Sequence, residues 1–190
     1  MKEGDSTKEI NLWLNDYNDL FSDFDHRNYS IRTLSDDFLL EARKASLEKK
    51  KSELKQIKFC LPLKERNKDY EIVIKHRLVT HFHKHYNLIY NEKVKLIQKG
   101  LFFTVAGIIL MIIATFILFY YDQRKIFLSF LIILLEPGGW FFFWEGLGLI
   151  IFESKKKRHE LEFYEKVKNC NILFFSHTED TKNKFRNYNY

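Results

Sequence analysis

Three features of this 190-residue sequence specify a membrane α-helical hairpin (two transmembrane helices) with a small cytosolic α+β unit and long helical extensions. Residues 101–121 form 21 consecutive positions without a formal charge. Residues 126–152 form a second apolar run, interrupted only by Glu136 and Glu145. Outside these runs the chain is densely charged, so its averages mislead. A composition of 46% hydrophobic and 29% charged residues, with a mean hydropathy of -0.31, suits a soluble globule. The bunching of the apolar residues does not.

Composition removes several classes. Two Pro and seven Gly exclude collagenous and Pro-rich chains, and two Cys cannot build a disulfide scaffold or a four-thiolate zinc site. Aromatics at 17%, with 19 Phe, exceed what a soluble core of this size needs. The net charge of +6 gathers beside the apolar runs, where anionic lipid accounts for it without nucleic acid.

Residues 1–33 carry Trp13, Tyr17, Phe21, Phe24 and Tyr29 among Asp16, Asp19, Asp23 and Asp25. A calcium loop starting at Asp23 would need Gly at its sixth position and Glu at its twelfth. Asn28 and Leu34 stand there instead. The segment reads as a solvated arm that docks its aromatics on another surface. It is acidic at its start and has no apolar stretch of signal-peptide type.

The next unit is 34–67. Thr33, Leu34, Ser35 and Asp36 form a helix start, with a hydroxyl to cap free N–H groups and acids in the first turn. Phe38, Leu39, Ala42, Ala45 and Ser46 share one face of a helix reaching about Glu53. Lys49, Lys50 and Lys51 end it in solvent. Ile57, Phe59, Leu61 and Leu63 then alternate with polar or small neighbours, the period of a half-buried strand. Pro62 puts that strand at a sheet edge or near its own end. The other short apolar run outside the membrane is Ile172, Leu173, Phe174 and Phe175. Unpaired strands leave backbone groups unsatisfied, so these two are expected to pair, within one chain or between subunits. A Cys60–Cys170 crosslink becomes feasible if the pairing brings the two thiols close.

From 68 to 100 the helical period returns in Leu78, Phe82, Tyr86, Ile89, Tyr90, Val94 and Ile97. This helix runs directly into the first span, 101–121, because a break would strand backbone groups at the interface. At about 1.5 Å per residue that span covers roughly 32 Å, enough for a bilayer's hydrocarbon core. Asp122, Gln123, Arg124 and Lys125 make a short turn. The second span, 126–152, is long enough to cross with tilt or a kink near Pro137. A charged helix with Leu161, Tyr164 and Val167 on one face opens segment 153–176, and 177–190 is a flexible tail. The helical extensions are expected to pack as a coiled stalk. Eight Lys/Arg flank the spans on the outer sides and two lie in the turn, which places both termini in the cytoplasm of a cell whose inner membrane holds the protein.

The polar groups inside the second span are the candidate site. Glu136 costs about 2.5–3.5 kcal/mol at mid-bilayer unless it faces protein or water, or is protonated. Glu145 lies nine residues on, about 180° around a straight helix. Pro137, Gly138 and Gly139 form a candidate helix break, in which Glu136 would cap the freed amides. Gly139 and Gly146 would let this helix approach Thr104, Gly107 and Ala114 of the first. His81, His83 and His85, with His76 before them, suggest a metal site. On a helix, however, only His81 and His85 share a face, and Glu71 and Glu92 are poorly placed to complete the set. These histidines read instead as interface or headgroup groups titrating near pH 6.5. No metal, cofactor or catalytic residue is expected, since no phosphate loop, nucleophile elbow or paired C-x-x-C occurs.

The segment Gly139, Trp140, Phe141, Phe142, Phe143, Trp144 and Glu145, followed by 147–152 and a basic helix, resembles the second span of a family of uncharacterised prokaryotic proteins with two transmembrane helices. The likeness extends to an acidic aromatic arm, a strand and a long basic helix entering the membrane, and it implies an architecture without an activity. Glu136-Pro137 is also similar to the Glu-Pro of the mitochondrial calcium uniporter pore subunit, which has two spans joined by a short turn. That resemblance implies that Glu136 lines a pore. The family's Asp three residues earlier is matched by Ile133 and its Trp by Ile132, so calcium selectivity is not implied.

Together these readings give a non-enzymatic, membrane-anchored interaction or scaffold module that self-associates and meets a cytosolic protein partner as well as the lipid bilayer. The alternative is an oligomeric cation channel lined by Glu136.

Overall fold

The computed structural model describes residues 9–47, 54–120 and 126–177. The expectations for residues 1–8, for the helix end with Lys49, Lys50 and Lys51, for the turn 122–125 and for the tail beyond 177 lie outside this range. The chain divides into two compact units, one built from Met1–Tyr86 with Glu162–Tyr190 and the other from Asn87–Leu161.

The first unit is built on three parallel strands in the order β1 (Glu9–Trp13), β2 (Gln56–Pro62) and β3 (Asn171–His177). Parallel neighbours need crossovers. Helix α1 (Asp36–Leu47) lies between β1 and β2 in sequence. Between β2 and β3 run α2 (Lys68–Tyr120), α3 (Ile126–Gly148), a π-helical stretch (Leu149–Glu153) and α4 (Ser154–Val167). The unit is therefore α/β in connectivity, not α+β. The double-helix segment occupies the second crossover.

One sheet face is the core. Ile10, Ile57 and Ile172 lie in register across the three strands, as do Leu12, Phe59 and Phe174. Phe59, on the central strand, is fully buried between Phe38 of α1 and Phe174, at centroid distances of 5.8 and 5.4 Å. Ile74, Leu78 and Phe82 of α2 and Phe163, Tyr164 and Val167 of α4 are also buried, and Phe82 meets Phe163 edge-on at 6.5 Å. Phe38, Ala42 and Ser46 are the buried stripe of α1, and Ser35 accepts from the Phe38 N–H at its start. The opposite sheet face is half-exposed. There Lys58 pairs with Glu9 and sits 5.4 Å from the Phe175 ring.

Several expectations are corrected. The acidic aromatic segment does dock aromatics, but it is not a solvated arm: it supplies β1, then a 3-10 turn (Tyr17–Leu20) whose Tyr17 and Leu20 are buried, then buried Phe21. Phe24 alone among the expected aromatics stands almost wholly in solvent. β2 is the central strand and not an edge, and Pro62 is its last residue, the other place expected for it, where a missing N–H interrupts little of the ladder. Leu63 leaves the strand for a 3-10 turn and is exposed. Cys60 is the register partner of Phe175, five positions beyond Cys170. At about 3.3 Å per residue the thiols lie near opposite ends of the strand pair, so no native crosslink joins them.

The Lys68–Tyr120 helix, which belongs to the second unit from Asn87 on, is continuous through Gly100, as expected. The Ile126–Gly148 helix also runs without interruption through Glu136, Pro137, Gly138 and Gly139. Pro137 removes one intrahelical donor but does not end the helix, so no row of amides is freed for Glu136 to cap. The two helices meet antiparallel through glycines. A Cβ placed on Gly107 would lie 2.6 Å from the Gly139 carbonyl oxygen and 2.6 Å from the Phe143 nitrogen. One on Gly100 would lie 2.7 Å from Ile150 and 2.8 Å from the Gly146 oxygen, and one on Gly146 would collide with Thr104. Only glycine permits this backbone approach. The π-helical stretch then admits an extra residue per turn before α4, and Ser154 Oγ donates to the Ile150 carbonyl at 2.5 Å. Lys157 of α4 pairs with Glu92 of α2 at 2.8 Å.

Candidate functional site

The glycine contacts set the level of Glu136 and of Glu145 along the pair of apolar helices. Gly139 packs at Met111, so Glu136, one turn earlier, sits opposite Ala114, Thr115 and Leu118. These residues, with Met111, Ile132 and Trp140, bound a groove of about 200 Å³ into which Glu136 opens. The 101–120 run is centred near residue 110, so Glu136 lies only about four residues, roughly 6 Å, from its midpoint. Glu145 adjoins Gly146, which meets Gly100 and Thr104. That is the charged end of the apolar run, beside Lys99. The two carboxylates therefore stand at different levels: Glu136 near the middle of the apolar run and Glu145 at its charged end.

Both side chains are exposed on the surface of the hairpin. Among the described residues, no hydrogen bond or ion pair reaches either one. Thr115, the nearest hydroxyl to Glu136 in the groove, donates to the Met111 carbonyl at 2.9 Å. Pro137 is exposed, while Gly139 is buried against the first helix. Gly138 has open space where a Cβ would stand, so close approach needs Gly139 and not Gly138.

The apolar helices present bare hydrocarbon on nearly every side. Phe102, Ile112, Phe119, Phe127, Ile133, Phe141 and Trp144 are all mostly exposed. Only 11% and 6% of the most apolar 18-residue windows is buried, whereas a soluble core helix would be largely covered.

The histidine cluster lies in the first unit. His81 is buried, with its ring stacked 4.0 Å from that of His85, which in turn stacks 5.5 Å from Tyr164. Ring faces meet, and His81 Nε2 has no hydrogen-bond partner. Burial, reinforced by His85, Arg77 and Lys84, pushes the His81 pKa down to about 3. It therefore stays neutral where an ordinary histidine titrates. His83 points outward. Among the described residues, no three His, Cys, Asp or Glu side chains gather as a metal set.

Sequence reasoning missed a polar network on the arm. Tyr17 Oη donates to Glu71 Oε1 at 3.1 Å and accepts from the Asn67 N–H at 2.9 Å. Glu71 is held by Arg66 through bonds of 2.7 and 2.9 Å. Tyr17 also meets Phe174 and Tyr70 edge-on. The only available signal was the aromatic spacing of the arm, which does not identify a partner 50 residues away.

Taken together, the chain is a largely helical protein with a small three-stranded parallel sheet and two helices long and apolar enough to cross a membrane. No protein-family model, curated protein sequence or solved structure matches it.

Proposed function

We propose that the protein is a non-enzymatic, membrane-anchored interaction module, with its α/β unit in the cytoplasm and its hairpin crossing the inner membrane twice. The connectivity carries this reading. β2 precedes both apolar helices and β3 follows them, yet the two strands pair over their full length. A sheet cannot form across a bilayer, so the chain crosses an even number of times. The Lys/Arg bias supports a cytoplasmic side for the paired strands.

Glu136 supports self-association. A lone hairpin would expose this carboxylate to lipid, and a second copy packed on the same face would cover it. Mass measurement of the full chain in lipid nanodiscs tests this. A multiple of the 23.1 kDa chain is expected, and a strictly monomeric mass overturns self-association.

A cation-conducting oligomer is the second reading, favoured by the exposure of Glu136 near mid-bilayer. Flux through reconstituted oligomers that Glu136→Gln abolishes would select it over the scaffold. Absence of flux in correctly inserted oligomers would leave the scaffold.

A further inference from the structure

We propose that a cleft in the α/β unit binds a small oxyanion carried on an aromatic ring, a phosphate monoester or carboxylate, with Arg32 neutralising the charge and Tyr70 stacking on the ring. The cleft holds about 430 Å³ and lies between the loop from Arg27 to Arg32 and the first turns of α2. It is distinct from the hairpin and does not depend on the membrane reading.

Arg32 carries the inference. The residue is only 8% exposed, yet no carboxylate pairs with it among the described residues. Nη1 donates to Asn18 Oδ1 at 2.6 Å and Nη2 to the Ser22 carbonyl at 3.0 Å, both neutral acceptors. Nε has no acceptor at all. The guanidinium also lies 5.5 Å from the Phe21 ring, which supplies only a weak negative face. A buried cation in this state is poorly compensated, and an anion entering from the cleft would correct it.

Among the described residues, the neighbouring carboxylates do not reach Arg32. Asp25 is already taken by Arg27, through bonds of 2.9 and 2.8 Å, and by the Thr33 N–H at 2.7 Å. Arg77 donates its Nε to the Arg32 carbonyl at 2.9 Å, adding a further cation behind the cleft. Asp69 is the remaining carboxylate on the wall. Asp16 also acts on Tyr29 of the wall, so three carboxylates, Asp16, Asp25 and Asp69, stand against Arg27, Arg32 and Arg77, and it is the lack of a carboxylate on Arg32 itself that an anion would answer. Asp69 would repel a polyphosphate, which restricts the ligand to one oxyanion group.

The remaining wall supplies ring contacts and one donor. Tyr29 and Tyr70 meet edge-on at 5.4 Å, and Tyr70 lines the cleft about half exposed, which leaves ring surface there for a planar group. Asn28 Oδ1 accepts from the Ser30 N–H, which turns its amide N–H₂ toward other acceptors. The first N–H groups of α2, at Asp69 and Tyr70, already donate to Asn67 Oδ1. The helix end thus contributes a favourable field without free donors.

Calorimetric titration of the full chain in nanodiscs with phenyl phosphate, inorganic phosphate and phenol tests the proposal. Phenyl phosphate should bind saturably at one per chain, inorganic phosphate more weakly, and phenol not at all. Arg32→Gln should weaken phenyl phosphate at least about tenfold, the loss expected for a charge-assisted contact. Tyr70→Ala should reduce it to the level of inorganic phosphate. If Arg32→Gln does not fold, Tyr70→Ala and Asn28→Ala decide, and unchanged affinity in both overturns the site. So does the absence of binding by either anion up to about 10 mM, or equal binding of phenol and phenyl phosphate.

Discussion

Ile57 and Ile172 are direct register partners on neighbouring parallel strands, both almost fully buried, although both apolar helices lie between them in sequence. The sheet therefore closes only after the helical segment has returned to its starting side. Ile172→Ala should destabilise the α/β unit by about 2–5 kcal/mol, the cost of a large-to-small change in a core. Ser176→Ala, exposed on the same strand, should stay within about 0.5 kcal/mol of wild type. Denaturant unfolding followed by the near-ultraviolet signal of the aromatic core separates the two.

Gly107 and Gly138 make opposite predictions. Gly107→Leu forces side-chain atoms into the backbone of the second helix and should destabilise the hairpin by about 1–3 kcal/mol. Gly138→Ala meets nothing within 4 Å and should be neutral or slightly stabilising, through its better helix propensity. Unfolding of the reconstituted chain in mixed micelles reads both.

Tyr17 links the N-terminal segment to the start of α2. Tyr17→Phe keeps the ring contacts, loses the bond to Glu71 and leaves the Asn67 N–H without its acceptor. A loss of about 1–3 kcal/mol in thermal or denaturant unfolding is expected.

His81 supplies a pH dependence. Its pKa is near 3 in the folded chain and 6.5 when exposed. Between these values the unfolded chain binds more protons, so stability falls as pH drops through this window and recovers above about 6.5. Moving from about pH 7 to about pH 5 should lower the melting temperature of wild type more than that of His81→Leu. Equal shifts would remove His81 as the source.

The thiols differ in reactivity. Burial pushes Cys170 up to about 12 and raises Cys60 less, with Lys58 opposing the rise. Alkylation of the native protein at mildly alkaline pH should modify Cys60 first and leave Cys170 until unfolding. Oxidation should produce no intramolecular disulfide, as read by intact mass after alkylation.

The sequence was most informative where one period persisted. The α2 stripe through Leu78, Phe82 and Ile89, the alternation of Ile57, Phe59 and Leu61 and the uninterrupted apolar runs all translate directly into elements, because each repeats one physical constraint. β1 was not legible: Ile10 and Leu12 alternate for only one period between Glu9 and Trp13, too short to separate from a loop. The parallel direction of β2 and β3 was likewise hidden, since pairing direction depends on the whole crossover between them. At the candidate site, the levels of Glu136 and Glu145 required the register of Gly107 on Gly139. No spacing within one helix contains that register. Arg32 escaped notice because a single arginine in a loop has no periodic signature.

The central claim is that the paired strands share one side of a membrane that the helices cross twice. Cysteine labelling with a membrane-impermeant reagent tests it most directly, on Lys64→Cys, Gln123→Cys and Ser176→Cys in a background lacking Cys60 and Cys170. Positions 64 and 176 should react only in inverted vesicles and position 123 only in right-side-out vesicles. Labelling of 64 and 176 from opposite faces, or of all three from one face, would contradict the account.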